Sequence, residues 1–377
     1  MRRWASFAAK EEPVVFADAF ATLRKEFRWD SVPFRHALKA AAAITFAIVA
    51  ARFLELRHAV WLPISVIVIM RPSVGGTLRI GWKRLWGTVL GATLGVGILF
   101  LEPATPVLAG LIIFSFFLMI LVRVFSYTFF SGCLTVGVVL LLGVLFTDGW
   151  QFGVERILDT VLGIAIGIAA SFGVWPNMAR KNLRAKMANL VELQSAHFKI
   201  LSESYLRGGV SEAEIVESRI QASTMLDACA ESFREAAAEP GLQGWQRNEL
   251  TRLIRTFTRM HSLLMTMATI IRRGYGGPLP SIAEGMAEIL GAAASYYEWL
   301  ECYSLTPEDC PDEPDFDKAI DNFMAAVGDA RIRGDFEDVP LERRNNISAF
   351  IWNIHALGEE ISRAGKRMHD LRYGRAK

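Results

Sequence analysis

The sequence predicts an all-α, polytopic membrane protein: six transmembrane helices arranged as two inverted three-helix repeats, followed by a cytoplasmic helical bundle. Three observations carry this. Hydrophobic residues make up 52% of the 377 residues, and they crowd between Phe34 and Trp175 rather than spreading evenly. Charged residues return at ordinary density after Trp175, with helical periodicity and no strand-like alternation. A short motif recurs 72 residues apart, once in each half of the apolar region.

A helix that crosses a bilayer needs roughly 20 mainly apolar residues. Residues 34–53, 82–101, 107–122, 125–146 and 156–175 meet that length or approach it. Residues 59–70 form a shorter segment that contains Pro63 and is bounded by Arg57 and Arg71, so it reads as a short or broken span. The chain then divides into residues 1–33, an interfacial cytoplasmic segment, residues 34–176, the transmembrane domain, and residues 177–377, the cytoplasmic helical domain. Within the first segment Phe16, Phe20, Leu23 and Phe27 recur at helical spacing beside Arg24, Lys25 and Arg28. This is the pattern of an amphipathic helix lying on a membrane surface, and equally of one packed on the soluble domain. Helical periodicity in the last part covers residues 182–206, 211–238, 245–273, 282–303, 316–331 and 341–371. Breaks fall at Gly208-Gly209, at Pro240-Gly241, across 274–280 and in the acidic run 308–317, which reads as a solvated loop.

Charge sets the orientation. Residues 1–179 hold 16 Lys and Arg against 10 Asp and Glu, a net +6, and residues 180–377 hold 25 against 29, a net −4. Basic residues before the first span, between the second and third, and after the sixth lie on one side if there are six crossings, which the positive-inside rule makes cytoplasmic. Both termini are then cytoplasmic, although Arg52 and Arg57 fall on the outer side. No basic stripe interleaves with aromatics, so nucleic acid is not an expected partner. No apolar h-region stands near the N-terminus, where Glu11, Glu12 and Asp18 lie, so no secretion signal is read there. The four cysteines, Cys133, Cys229, Cys302 and Cys310, form no CxxC pair and read as free thiols.

The repeated motif runs Arg84-Leu-Trp-Gly87-Thr88-Val-Leu-Gly91-Ala-Thr-Leu-Gly95 and Arg156-Ile-Leu-Asp159-Thr160-Val-Leu-Gly163-Ile-Ala-Ile-Gly167. Each copy belongs to the last helix of a set of three spans. Three is odd, so the sets have opposite orientation, the inverted-repeat arrangement of many transporters. Gly87, Gly91 and Gly95 share one helix face, as do Gly163 and Gly167, and a bare face lets two backbones approach closely. Arg71, Arg84 and Arg156 sit near predicted helix ends. They read either as snorkelling side chains or, together with Arg79, as a ring of positive charge that draws anions into a pathway. Asp159 lies a turn inside its span and three residues after Arg156, so an intrahelical pair is the simplest reading, with proton coupling as the functional one. Trp61, Pro63, Pro72 and the Gly75-Gly76 pair mark a failure of span two. Backbone groups freed there must be buried in protein or line a wet cavity.

These residues resemble a known signature. Trp61-Leu-Pro63, the Arg71-Pro72-Ser73 step, Thr77-Leu-Arg79, Arg84-x-x-Gly87-Thr88-x-x-Gly91 and the closing Arg156…Thr160…Gly163…Trp175-Pro176 resemble the fusaric acid resistance protein-like family over residues 35–180. The layout is also similar to that of plant aluminium-activated malate channels. The resemblance implies a bacterial inner-membrane exporter of small organic anions such as aromatic carboxylic acids, some members working with a periplasmic adaptor subunit. Long members carry two membrane halves, so a homodimer is expected here. Arg71 stands where long members often have Gln, which bears on selectivity. An anion channel, or a membrane anchor whose helical domain binds a partner, are the alternative functions. An enzyme is not expected. His36, His58, His197, His261, His355 and His369 are scattered, no HExxH occurs, and no glycine-rich stretch is followed by Gly-Lys-Ser/Thr. No cofactor and no metal site is expected.

Overall fold

The structure, a computed structural model, describes Arg24 and residues 26–373 apart from 57, 147–148 and 274–276. Phe16, Phe20, Leu23 and Lys25 of the expected amphipathic helix lie outside the described residues, as does Arg57. The described residues hold twelve α-helices, one 3-10 turn and no strand, and they separate into two compact units, Met1–Asn177 and Met178–Lys377.

The first unit contains α1 (Val32–Phe53), α2 (Trp61–Ile69), α3 (Val74–Phe100), α4 (Thr105–Val122), α5 (Tyr127–Leu145) and α6 (Gly149–Gly173). Four of them, α1, α4, α5 and α6, are long and apolar enough to cross a membrane on their own. Large apolar side chains point outward all round this unit: Phe53 is 86% exposed and Ile113 is 71% exposed. Surfaces of that kind face lipid rather than water. The chain is a membrane protein with transmembrane helices. Among these six helices α2 is the shortest, nine residues or about 14 Å at 1.5 Å per residue.

The break after α2 is tighter than its composition predicts. Met70 leaves the helix with extended backbone, and Ser73 caps α3 by accepting the Gly76 N–H at 2.9 Å. Gly75 and Gly76, expected to break the chain, instead form the buried first turn of α3. The hydroxyl of Thr77 accepts from the Arg71 N–H at 3.1 Å and donates to the Ser73 carbonyl at 3.1 Å. Asn177 closes the rest: its carbonyl accepts from Val74 N–H, and its amide donates to the Pro72 carbonyl. Side chains and the Asn177 backbone carbonyl therefore satisfy these freed backbone groups. Helices α3 and α6 also start earlier than expected, at Val74 and Gly149 rather than at 82 and 156. Polar and glycine-rich first turns hide a helix start from a hydropathy reading.

In the second unit α7 (Ala179–Arg207), α8 (Glu212–Ala238), α9 (Gly244–Arg272), α10 (Ala283–Leu305), α11 (Phe316–Ile332) and α12 (Leu341–Tyr373) enclose a core built on Phe198, Phe257, Tyr297 and Phe350. Gly208 ends α7 with φ +67°, a conformation glycine adopts without strain. Glu249 of α9 and Glu360 of α12 are buried, and each pairs with an arginine of the other helix, Arg367 at 3.1 Å and Arg259 at 3.4 Å.

His197 of α7 is fully buried, with Nδ1 2.8 Å from Ser218 Oγ on α8. Burial pushes it down to about 4 from 6.5, helped by the nearby His261 and Arg219. A histidine held neutral in the fold binds fewer protons than in the unfolded chain, so stability falls as pH drops from about 6.5 towards 4. The loss amounts to about 2–3 kcal/mol. Thermal melts of the intact protein across that range should show it, and His197→Gln should flatten this part of the profile. An unchanged profile would remove His197 as its cause.

A buried cationic cluster as candidate functional site

Packing in the membrane unit starts from the glycines. A Cβ at Gly87 would lie 2.5 Å from the Thr128 carbonyl and 2.8 Å from Ser131 Cβ, and one at Gly91 would strike the Gly132 carbonyl. The Gly87–Gly91–Gly95 face of α3 is thus seated directly on α5. On α6, a Cβ at Gly163 would lie 2.6 Å from Ser65 Cβ, and one at Gly167 would lie 3.2 Å from Ile69 Cδ1. That face is seated on α2. The two packings are reciprocal: the third helix of each set of three lies on the second helix of the other set.

Helices α3 and α6 also touch each other and run antiparallel. Gly81 faces Ile164 at 3.5 Å, while Gly153 faces Ala92 and Val96. Thr88 and Thr160 fall near the middle of this pair. The repeated motif therefore brings Arg84, Thr88, Arg156, Asp159 and Thr160 together, although 72 residues separate its copies.

Arg84 is ten residues into α3 and Arg156 seven residues into α6, about 15 Å and about 10 Å from the helix starts. They are 3% and 2% exposed. They lie close enough for their charges to act on each other. Arg156 lays its guanidinium over the Trp61 ring, 4.1 Å from the centroid, a cation–π contact. The intrahelical pair expected between Arg156 and Asp159 is not formed as an ion pair among the described residues. The arginine is drawn across to α2 by Trp61, and Asp159 acts on it only at longer range. Asp159 is 4% exposed and also feels Glu155 and His58. Those two pair directly, His58 Nδ1 to Glu155 Oε2 at 2.8 Å.

The hydrogen bonding of this cluster is incomplete. The Nε of Arg84, Nε and Nη1 of Arg156, the Thr88 hydroxyl and the Ser65 hydroxyl are buried without a partner among the described residues. The Thr160 hydroxyl turns back to the Arg156 carbonyl at 2.8 Å. Buried donors on two cations, beside two open hydroxyls, match the needs of an anion with several acceptor oxygens.

The other expected site residues have different surroundings. Arg71 sits in the α2–α3 break, where its Nη1 donates to the Met70 carbonyl at 3.0 Å, and its charge acts on His36 of α1 beside Lys39. Arg79 is half-buried between that level and Arg84. Trp61 and Pro63 open α2, and Pro72 is exposed in the break. Ser65 and the His58–Glu155 pair were missed by sequence reasoning. Ser65 lies one turn after Trp61 on the same short helix, and that spacing could have flagged it. Nothing local connects His58 with Glu155, 97 residues away. No group of three or more His, Cys, Asp or Glu able to hold a metal occurs among the described residues.

Comparison with known proteins places this cluster in context. Residues 46–170 match the family model described as fusaric acid resistance protein-like, a stretch that contains the whole cluster. The chain is 24% identical over 265 residues to the inner membrane protein YccS of Escherichia coli (strain K12), covering 68% of this chain and 36% of that protein. It is 22% identical over 226 residues to an uncharacterized protein of Neisseria gonorrhoeae, covering 60% and 54%. It is 25% identical over 242 residues to an uncharacterized membrane protein, YvaC, of Bacillus subtilis (strain 168), covering 62% and 38%. The chain thus spans 36–54% of the length of these relatives.

Proposed function

We propose that this chain, whose residues 46–170 match the fusaric acid resistance protein-like family model, moves small organic anions, such as aromatic carboxylic acids, outward across a bacterial inner membrane. One observation carries the reading. Arg84 and Arg156 are buried well inside α3 and α6 with donors left open among the described residues. A charge in such surroundings costs several kcal/mol unless something compensates it, and among the fully buried groups of the cluster Asp159 supplies one negative charge against the two arginines. A carboxylate entering the cluster would balance the charge and fill the open donors. Trp61, held by Arg156, adds an aromatic wall beside it.

The rest of the reading follows from the same geometry. The reciprocal packing of α3 on α5 and α6 on α2, with α3 antiparallel to α6, supports two inverted three-helix repeats and six crossings, with the short α2 as an incomplete one. Residues 34–176 would then be the transport domain and residues 177–377 a cytoplasmic domain, both termini being cytoplasmic. A homodimer would supply the second membrane half that longer relatives hold in one chain. A periplasmic adaptor subunit is an optional further partner. No catalytic step is assigned to the chain.

The test is flux. The purified protein is reconstituted in liposomes, and release of an aromatic carboxylate is measured with and without a proton gradient. Saturable flux that depends on the gradient supports a coupled exporter, and saturable flux without it supports a channel for the same anions. No flux across a panel of organic anions would overturn the proposal in favour of a membrane anchor.

A further inference from the structure

The second unit contains a cavity of about 500 Å³ between the start of α7, the start of α9, the end of α10 and the end of α12. That volume lies within the range of small-molecule sites, roughly 300–1,000 Å³. Its floor is apolar: Leu183, Met187, Leu250 and Met368 are all at least nine-tenths buried. The two methionines give that floor a polarizable, adaptable surface suited to a flat or irregular apolar body. Its rim is cationic. Arg180, Lys181, Arg184 and Arg372 line it, and no carboxylate among the described residues does.

The four cations are not equivalent. Arg180 leans on the buried Glu239, Nε to Oε2 at 3.8 Å, and Arg372 is paired with Glu308 at 2.6 Å. Lys181 and Arg184 have no ion-pair partner among the described residues. They are one turn apart on α7 and open onto the same cavity. A solvated basic face would put such residues over a packed surface. Here they stand over a hole lined with Leu and Met, and Tyr303, Gln246 and Ser304 add polar groups to its wall. An apolar floor with a few convergent polar groups is the composition of a ligand site.

We propose that this cavity binds an organic anion with an apolar body: the body rests on Leu183, Met187, Leu250 and Met368, and the carboxylate or phosphate head meets Lys181 and Arg184. The site is separate from the membrane cluster and does not depend on what the membrane unit moves. It equips the second unit to sense an amphiphilic acid. Two sources share this chemistry, a free aromatic or aliphatic acid and an anionic lipid.

The experiment uses the full chain in detergent and two probes, 1-naphthoate and dihexanoylphosphatidic acid, with 1-naphthamide as the uncharged control. Saturable binding of at least one charged probe is expected, with the amide binding much more weakly. The double variant Lys181→Gln/Arg184→Gln changes only exposed side chains, and should weaken that binding about tenfold, as expected for two partly solvated charge contacts. Leu371→Trp, which fills the cavity from its edge, should abolish it. The probe that responds identifies the source, free acid or lipid. Arg84→Gln/Arg156→Gln should leave this class of sites intact, so failure here and failure of the membrane reading are distinguishable. No saturable binding of either charged probe, or binding that the two cavity variants leave at wild-type strength, would overturn the inference.

Discussion

Replacing Arg156 by Gln is expected to lower the initial rate of organic-anion flux more than about tenfold, because losing one partner of a desolvated, hydrogen-bonded charge contact costs about 2–5 kcal/mol. Arg84→Gln should act alike, since both guanidiniums are buried in the same cluster and both carry open donors. Arg71→Gln should cost far less. Arg71 sits in the break, bonded to the Met70 carbonyl and grouped with His36 and Lys39. Arg156→Lys separates charge from shape. It keeps the positive charge, but loses the planar fork and the stacking over Trp61. A partial loss is therefore expected, between wild type and Arg156→Gln. Initial rates in liposomes, normalised to inserted protein, decide the matter, with gel filtration as the check on folding. Flux unchanged in both Arg84→Gln and Arg156→Gln would take the cluster out of the pathway.

Much of this cluster was legible in the sequence, and the reason is specific. The motif repeats without a gap, so Arg84 and Arg156, Thr88 and Thr160, and Gly91 and Gly163 were paired before any contact was known. Depth was not legible. Hydropathy placed Arg84 and Arg156 at helix ends, because the turns before them are glycine-rich or polar: Gly75-Gly76-Thr77 before one, Gln151 and Glu155 before the other. Helix continuity there depends on caps such as Ser73 and on close seating against neighbours, and neither leaves an apolar trace. Cross-helix partners were also hidden. Trp61 takes Arg156 away from Asp159, and His58 finds Glu155 only once α2 and α6 lie side by side. In the second unit the helices follow their periodicity closely, because one apolar stripe per helix faces a water-excluding core. The cavity over Leu183 and Met187 could not be read there, since an unfilled stripe position looks the same as a filled one.

Gly163→Ala tests the seating itself, and it is expected to destabilise the membrane unit strongly. A Cβ there would stand 2.6 Å from Ser65 Cβ and 3.4 Å from the Ser65 carbonyl carbon and the Val66 nitrogen. Those atoms belong to the body of α2 rather than to the end of a flexible side chain, so α2 and α6 must move apart. Overpacking of this kind costs about 1–3 kcal/mol, and the shift would also carry Arg156 away from Trp61. Gly91→Ala should behave alike, because its Cβ would meet the Gly132 carbonyl of α5. Gly97→Ala is the control: beyond its own helix backbone and chain neighbours, a Cβ there would meet no described atom within 4 Å, and alanine is the better helix former by about 1 kcal/mol. Thermal stability in detergent should therefore fall for the first two and hold or rise for the third. If all three behave alike, the glycine faces are not contact surfaces. Ser65→Gly combined with Gly163→Ala removes the atom that the new methyl strikes, so the pair should recover part of the loss. A double variant no more stable than Gly163→Ala alone would mean that the backbone of α2, and not the Ser65 side chain, sets how closely α6 can approach.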